Sequence, residues 1–172
     1  ADADEGIYAT SARLALDGYL PYRDYFCSAP PLALYLFIAV LAPTSPPWGS
    51  ESGFMALRYV SVAYGLATLL ATYGVAALLG GRAAGLLAAG LLAIDGWVVA
   101  QDRRAMLEAP MNLFSTLAVL ALVMASLRAG RQRWYVIAGV MAGLAILSKT
   151  QGLVVLAVLL VTLALQRRWR PA

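Results

Sequence analysis

The feature that most constrains this chain is a series of apolar stretches that fills almost everything after Phe54. Short polar breaks separate the stretches. The whole chain is 62% hydrophobic, and its mean hydropathy is +0.75. Soluble domains are closer to half apolar, and a helix needs about 20 mostly apolar residues to cross a bilayer. The pattern therefore predicts an all-α polytopic membrane protein.

The polar breaks divide the apolar part into about four or five predicted spans. The first covers residues 54–79, the second 83–100, and the third runs from about 106 to 127. Two shorter apolar pieces follow at 134–148 and 153–166. These two pieces are either a short helical hairpin or one long broken helix.

The charges of the turns predict which way the bundle faces. If the last two pieces form a hairpin, all nine acidic residues fall at one end of the bundle or close to it. By the positive-inside rule the other end is cytoplasmic, so the protein is expected in the plasma or inner membrane. The rule also favours the hairpin. The cytoplasmic end then holds seven arginines: Arg82, Arg128, Arg131, Arg133, Arg167, Arg168 and Arg170.

Two regions are predicted, an outer segment of residues 1–53 and a helix bundle of residues 54–172. In the outer segment, residues 5–18 and 31–42 each suggest a short helix. Both are too short to cross a bilayer, so we expect them to lie at the outer membrane surface. Residues 43–53 are expected to form a loop. The chain has no initiating Met and no signal-peptide pattern, which suggests a piece of a longer protein.

Composition limits the kinds of site and partner. The chain has no His and one Cys, Cys27, which excludes a zinc site built on Cys and His and an intrachain disulfide within this stretch. No metal ligand is assigned, although a divalent cation held by carboxylates remains possible. The net charge of +4 comes from short basic clusters between apolar spans. That distribution indicates membrane topology and contact with membrane lipids, not nucleic-acid binding.

Two adjacent acids, Asp4 and Glu5, precede the first short helix. A carboxylate at a membrane surface can take a proton from a hydroxyl or an amine during group transfer. Acids at this position can equally stabilise the positive end of a solvated helix. The local pattern leaves both roles open.

A second set of charges lies at the outer ends of later spans. Arg103 and Arg104 could bind phosphate through their guanidinium groups, or extend to lipid head groups. Glu108 falls inside an apolar run, where acids are usually paired and functional. Lys149, the only lysine, could hold a lipid phosphate or anchor a helix end.

The order of these features resembles a known family. An outer Asp-Glu and a short helix precede Asp-Gly-x-x-Pro-Tyr-Arg-Asp-x-Phe, which begins at Asp17, and Pro-Pro-Leu, which begins at Pro30. Arg-x-x-x-x-Glu follows from Arg103, and Gly-Leu-Ala-x-Leu-x-Lys ends at Lys149. This order is similar to the C-type membrane glycosyltransferases, specifically the protein O-mannosyltransferase and lipid A aminoarabinose transferase superfamily. The family's first transmembrane helix and C-terminal half have no counterpart here.

The resemblance implies transfer of a sugar from a polyprenyl-phosphate donor to a lipid, glycan or protein acceptor outside the cytoplasm. Asp4 matches the catalytic base of an inverting displacement, and Glu5 matches its neighbour. Arg103 matches the arginine that faces the donor phosphate. Further expected contributors are Arg104 and Lys149 at the phosphate and Glu108, Tyr22 and Asp24 in support.

One motif departs from the family. The aminoarabinose transferases have Glu-Lys before Pro-Pro and the protein mannosyltransferases have a His there, whereas this chain has Ser28-Ala29. Phosphate binding would therefore rest on the arginines, and neither branch is assigned.

Two other classes of protein fit the same bundle. One is a transporter or flippase subunit in which Arg103, Glu108 and Lys149 line a substrate path. The other is a non-catalytic membrane assembly protein. A transporter is expected to carry polar groups at midplane depth and paired repeats. Here the polar groups gather at the outer end and no repeat is evident, which favours the enzyme.

Overall fold

A computed structural model describes residues 3–44, 51–127 and 131–168. Within these ranges every regular element is a helix, apart from one isolated bridge between Pro21 and Tyr25. The prediction of an all-α chain is confirmed for this part. The helices are α1 (Ala3–Leu16), α2 (Pro31–Leu41), α3 (Glu51–Ile94), α4 (Gly96–Asp102), α5 (Glu108–Leu127), α6 (Arg131–Ser148) and α7 (Leu153–Arg168), with a 3₁₀ turn at Thr150–Gly152 before α7.

The two short helices form as their end signals predict. Beyond α1, Gly18 adopts a φ of +97°, a region open to glycine, and the Tyr19 N–H donates to the Leu14 carbonyl at 3.0 Å. Pro31 begins α2, where its missing N–H costs no helical bond. Apolar side chains of α1 and α2 pack into one core that includes Ala12. Their location at a membrane surface stays a prediction.

Helix α3 is two antiparallel arms joined at Gly81. The backbone there has φ 81° and ψ 177°, which separates residues 51–80 from residues 82–94. A Cβ built on Gly85 would lie 2.8 Å from the Tyr73 ring, whereas these residues would be roughly 18 Å apart in one straight helix. The second arm therefore runs back along the first, with the turn where the sequence predicted one.

The predicted second span ends earlier than expected. Its helix stops at Ile94 because Asp95 caps a new helix, α4: the Asp95 carboxylate accepts the N–H groups of Trp97 and Val98, each at 2.9 Å. This break turns the chain and brings the end of α4 toward the first arm of α3.

The end of the outer segment also differs from the prediction. The loop expected over residues 43–53 is shorter at its C-terminal side because α3 already begins at Glu51. Residues 45–50 of this predicted loop lie outside the described residues.

Helices α6 and α7 form a hairpin. Leu159 of α7 shares a buried cluster with Ala138 and Ala142 of α6, although one straight helix would hold Leu159 roughly 30 Å from Ala138. The turn needs Gly152, because a Cβ there would lie 2.5 Å from the Ala145 carbonyl carbon. The hairpin is thus the correct alternative for the two short apolar pieces.

Two helices are long and apolar enough to cross a membrane by length and composition, α3 and α5. The remaining apolar helices of the described residues, α2, α6 and α7, are shorter. Among the predicted spans, support extends to α5 and to residues 51–80 of α3, which alone exceed the roughly 20 residues that a span needs. The other spans, including the one predicted over residues 83–100, stay predictions.

Candidate functional site

Glu5 joins three separate parts of the chain. Its carboxylate is fully buried and accepts two hydrogen bonds from Arg58 of α3, Nε to Oε1 at 3.0 Å and Nη2 to Oε2 at 2.8 Å. A third bond, 2.7 Å long, comes from the backbone N–H of Ala105 between α4 and α5. Such a bidentate pair with a further donor is a strong arrangement for a buried carboxylate. These donors fix the Glu5 carboxylate and so hold the first turn of α1 against α3.

Arg58 was not among the residues predicted for the site. It lies in the first arm of α3, and its guanidinium also stacks over the ring of Phe54, 4.8 Å from the ring centroid. The sequence signal that could have revealed it is an arginine inside the first apolar span, where a charge needs a partner.

Asp4 is exposed, in contrast to its neighbour. Tyr8, one helical turn further along α1, has a pKa raised by burial and then by the negative charges of Asp4 and Glu108. The Tyr8 hydroxyl is therefore within electrostatic reach of an acid on α1 and an acid on α5. Asp4 presents an open carboxylate on this side of the helical assembly.

Glu108 and Lys149 form an ion pair across α5 and the turn after α6. The Lys149 ammonium contacts Oε1 of Glu108, and both side chains are mostly buried, at 23% and 18% exposure. Oε2 of Glu108 is buried without a hydrogen-bond partner in the part of the chain that the structure describes. The predicted phosphate ligand Lys149 thus has a carboxylate partner within the chain, and Glu108 is paired as an intramembrane acid is expected to be.

Three arginines surround one cavity of about 270 Å³. Arg103 and Arg104 directly follow the end of α4, and Arg58 lies in the first arm of α3. Ala100 completes the described lining. The Glu5 carboxylate pairs with Arg58, so this cavity is lined by three guanidiniums with a buried acid beside one of them. The predicted pair of phosphate ligands is therefore brought together, with a third arginine beside them.

An apolar cleft of about 230 Å³ lies between the two arms of α3 and α4. Leu66 and Leu69 line it from the first arm, Leu92 lines it from the second, and Val98 belongs to α4. Arg103 lines both this cleft and the arginine cavity. The two spaces together suit an amphiphile with an anionic group at one end.

Asp102 forms part of the cleft wall and fixes α4 against α3. A Cβ added to Gly65 would lie 2.5 Å from Asp102 Oδ2 and 2.8 Å from its Cγ, so α4 approaches this closely only over a glycine. Oδ1 of Asp102 is buried with no hydrogen-bond partner within the described ranges. Burial raises the pKa of Asp102 and so favours its neutral form.

Tyr22 and Asp24 shape the loop between α1 and α2. Asp24 accepts hydrogen bonds from Arg23 and from the Leu20 N–H, and these bonds hold the pKa of its carboxyl below the usual range. The Tyr22 hydroxyl donates to the Ala29 carbonyl at 2.5 Å, and its backbone has a φ of +66°. These hydrogen bonds of Tyr22 and Asp24 stay within the loop, and their support of the site stays a prediction.

Among the described residues, no three Asp, Glu or Cys side chains lie together as metal ligands would. The divalent cation considered from the sequence therefore has no candidate cluster of three here, and it stays a prediction.

Comparison with known proteins assigns the family. The model of the dolichyl-phosphate-mannose-protein mannosyltransferase family matches residues 19–170, which is most of the chain. The chain belongs to this family. The resemblance noted from its motifs is confirmed. Searches of curated proteins and of solved structures gave no match.

Membership of the mannosyltransferase family implies membrane glycosyltransferase activity with a polyprenyl-phosphate sugar donor. It favours the enzyme over the transporter and assembly-protein alternatives. The matched range contains Arg103, Glu108 and Lys149 but begins after Asp4 and Glu5. The match therefore does not bear on the two acids.

Proposed function

We propose that this protein transfers a sugar, mannose by its family, from a polyprenyl-phosphate donor to an acceptor hydroxyl on the extracytoplasmic side of the membrane. The observation that carries the proposal is that a polar cavity and an apolar cleft lie next to each other and share one lining residue. Arg103 borders both the three-arginine cavity and the apolar cleft. A polyprenyl phosphate has the matching pair of parts, an anionic phosphodiester and an apolar chain.

The donor phosphate is proposed to sit in the arginine cavity. Guanidinium groups bind phosphate oxygens in a bidentate fashion. Among the described residues Arg103 has no carboxylate partner in a salt bridge, whereas Arg58 pairs with Glu5. The first isoprene units would then lie along the cleft beside Leu66 and Leu69. Positive charge around the phosphate stabilises the negative charge that grows on the leaving group.

Asp4 is the proposed general base. It takes the proton from the acceptor hydroxyl as the acceptor oxygen bonds to the anomeric carbon of the sugar. The bond from that carbon to the phosphate oxygen breaks, and polyprenyl phosphate leaves with the electron pair. A single displacement of this kind inverts the anomeric centre. Glu5 holds the first turn of α1 against Arg58 and so sets where Asp4 lies relative to the arginines.

Charge supports an extracytoplasmic site. Asp4, the arginine cavity and the Glu108–Lys149 pair lie at one end of the helices, while Arg82 and Arg133 lie at the other. Turns rich in arginine face the cytoplasm in most membrane proteins. The proposed reaction then takes place on the opposite side.

The test measures sugar transfer from radiolabelled polyprenyl-phosphate mannose in membranes that contain the full-length protein. D4N removes the base, and R103A removes a phosphate ligand; each is expected to lower the rate about 100-fold or more. R13Q is the matched control, because Arg13 is an exposed arginine of α1 that pairs only weakly, at 3.6 Å, with Asp17.

The outcomes separate the parts of the proposal. Wild-type rates in D4N would remove Asp4 as the base, and wild-type rates in R103A would remove the phosphate site. A folded wild-type protein that transfers sugar from no polyprenyl-phosphate donor would contradict the function as a whole.

A further inference from the structure

A separate cavity of about 420 Å³ lies at the end of the bundle away from the candidate site. It is bounded by both arms of α3, by α5 and by α6. Its apolar walls include Ala77, Leu78, Leu120 and Met124. Nothing in the proposed sugar transfer uses this space.

Two hydrogen-bond donors border the cavity. Arg82 directly follows the turn at Gly81 and is exposed, and no salt bridge to it is present among the described residues. Trp134 lines the cavity from the first turn of α6, and its indole N–H is buried with no acceptor in the described part of the chain. The Arg133 guanidinium stacks over the indole, 5.3 Å from the ring centroid, and so restrains it.

A molecule that enters the cavity would supply the acceptor that the described residues do not. Buried N–H groups without a partner are rare in native proteins. The sequence has no acidic residue between Glu51 and Asp95 and none after Glu108, so these two stretches provide no acidic side chain as the acceptor. An anion that enters the cavity would satisfy both donors, and the apolar walls would favour one that carries hydrocarbon.

We propose that this cavity binds an anionic phospholipid. A phosphate oxygen accepts from the Arg82 guanidinium and from the Trp134 indole N–H, and the adjoining chain lies against Leu120 and Met124. The location fits, because Arg82 is at the turn of a helix long and apolar enough to cross a membrane, where head groups meet the protein. The proposal is independent of the sugar-transfer function.

Native mass spectrometry of the full-length protein in detergent tests it, with dioleoyl phosphatidylglycerol and dioleoyl phosphatidylcholine as probes. Wild type is expected to bind phosphatidylglycerol about tenfold more tightly than phosphatidylcholine. R82Q removes the charge and should weaken phosphatidylglycerol binding about tenfold. W134F keeps a large aromatic ring but loses the N–H, and about a threefold loss is expected.

R13Q controls for the general loss of one positive charge, since Arg13 is on α1 at the other end. Equal affinity of wild type for the two lipids would overturn the proposal. So would R82Q and W134F proteins that bind phosphatidylglycerol as wild type does, or an R13Q protein that weakens binding as much as R82Q. Displacement of the lipid by millimolar inorganic phosphate would point to a simple ion site and would also overturn it.

Discussion

At the residue scale, Asp4 and Glu5 show how one helical step separates two chemically similar side chains. Successive residues of an α-helix point about 100° apart, so Glu5 turns into the protein while Asp4 stays exposed. Burial would be costly for Glu5 alone, and the bidentate bonds from Arg58 and the Ala105 N–H offset that cost. The neighbours therefore differ in environment: Glu5 holds α1 in place, and Asp4 has the exposed carboxylate that the proposed proton transfer requires.

This difference in burial predicts effects of very different size on stability. E5Q leaves Arg58 without its carboxylate and should lower the free energy of unfolding by about 3 kcal/mol. D4N changes an exposed acid and should alter it by less than about 0.5 kcal/mol. Denaturant unfolding of both variants in detergent, followed by circular dichroism, measures the difference. Equal losses in the two variants, or none in E5Q, would contradict the positioning role of Glu5.

At the scale of elements, the turns between helices decide where the site residues meet. Gly81 folds α3 back on itself, the Asp95 cap starts α4, and Gly152 closes the hairpin of α6 and α7. Each turn depends on a small residue or a cap at one position. After the turn at Gly81 the chain runs back toward the candidate site, where Arg103 lies. The turn that ends at Gly152 contains Lys149, which pairs there with Glu108.

The turn at Gly81 predicts a contrast between two glycines of the same helix. G81A places a Cβ at a φ of +81°, which strains the backbone, and should lower stability by about 1 kcal/mol or more. G90A is the matched control, because a Cβ there meets nothing within 4 Å and alanine favours the helix by about 0.5–1 kcal/mol. Thermal unfolding of the two variants measures both effects. A G81A protein as stable as the G90A protein would show that the turn does not need a glycine at this positive φ.

At the scale of the whole molecule, charge is distributed unevenly between the two ends. The acids and the arginine cavity gather at one end with α1 and α2, and the other end has arginines without acids. By the positive-inside rule the asymmetry predicts that the arginine-only end faces the cytoplasm. It also separates the proposed sugar-transfer site from the proposed phospholipid cavity.

Orientation is testable by cysteine labelling in intact cells. In a C27A background, a cysteine in place of the exposed Arg13 should react with a membrane-impermeant maleimide. A cysteine in place of the exposed Arg133 should react only after the cells are permeabilised. The two positions are matched in original residue type and exposure. If only position 133 is labelled in intact cells, the protein has the opposite orientation. If both positions are labelled, the protein does not have a single topology.

The sequence by itself determined the all-α class, the short helices and the location of most turns. These features depend on apolar run length and on glycine and proline signals, which act over a few residues. It also determined the family through motifs that follow one another along the chain, and the family match over residues 19–170 confirms it. Arg103, Glu108 and Lys149 were found in this way.

The tertiary structure alone decided which of these residues meet. Glu5 and Arg58 are 53 positions apart, Glu5 and Ala105 are 100 apart, and Glu108 and Lys149 are 41 apart. The sequence placed Glu5 in catalysis with Asp4 and did not include Arg58 in the site. The physical reason is that a buried charge needs a partner, but local pattern does not specify which distant residue supplies it. That choice follows from how the helices pack.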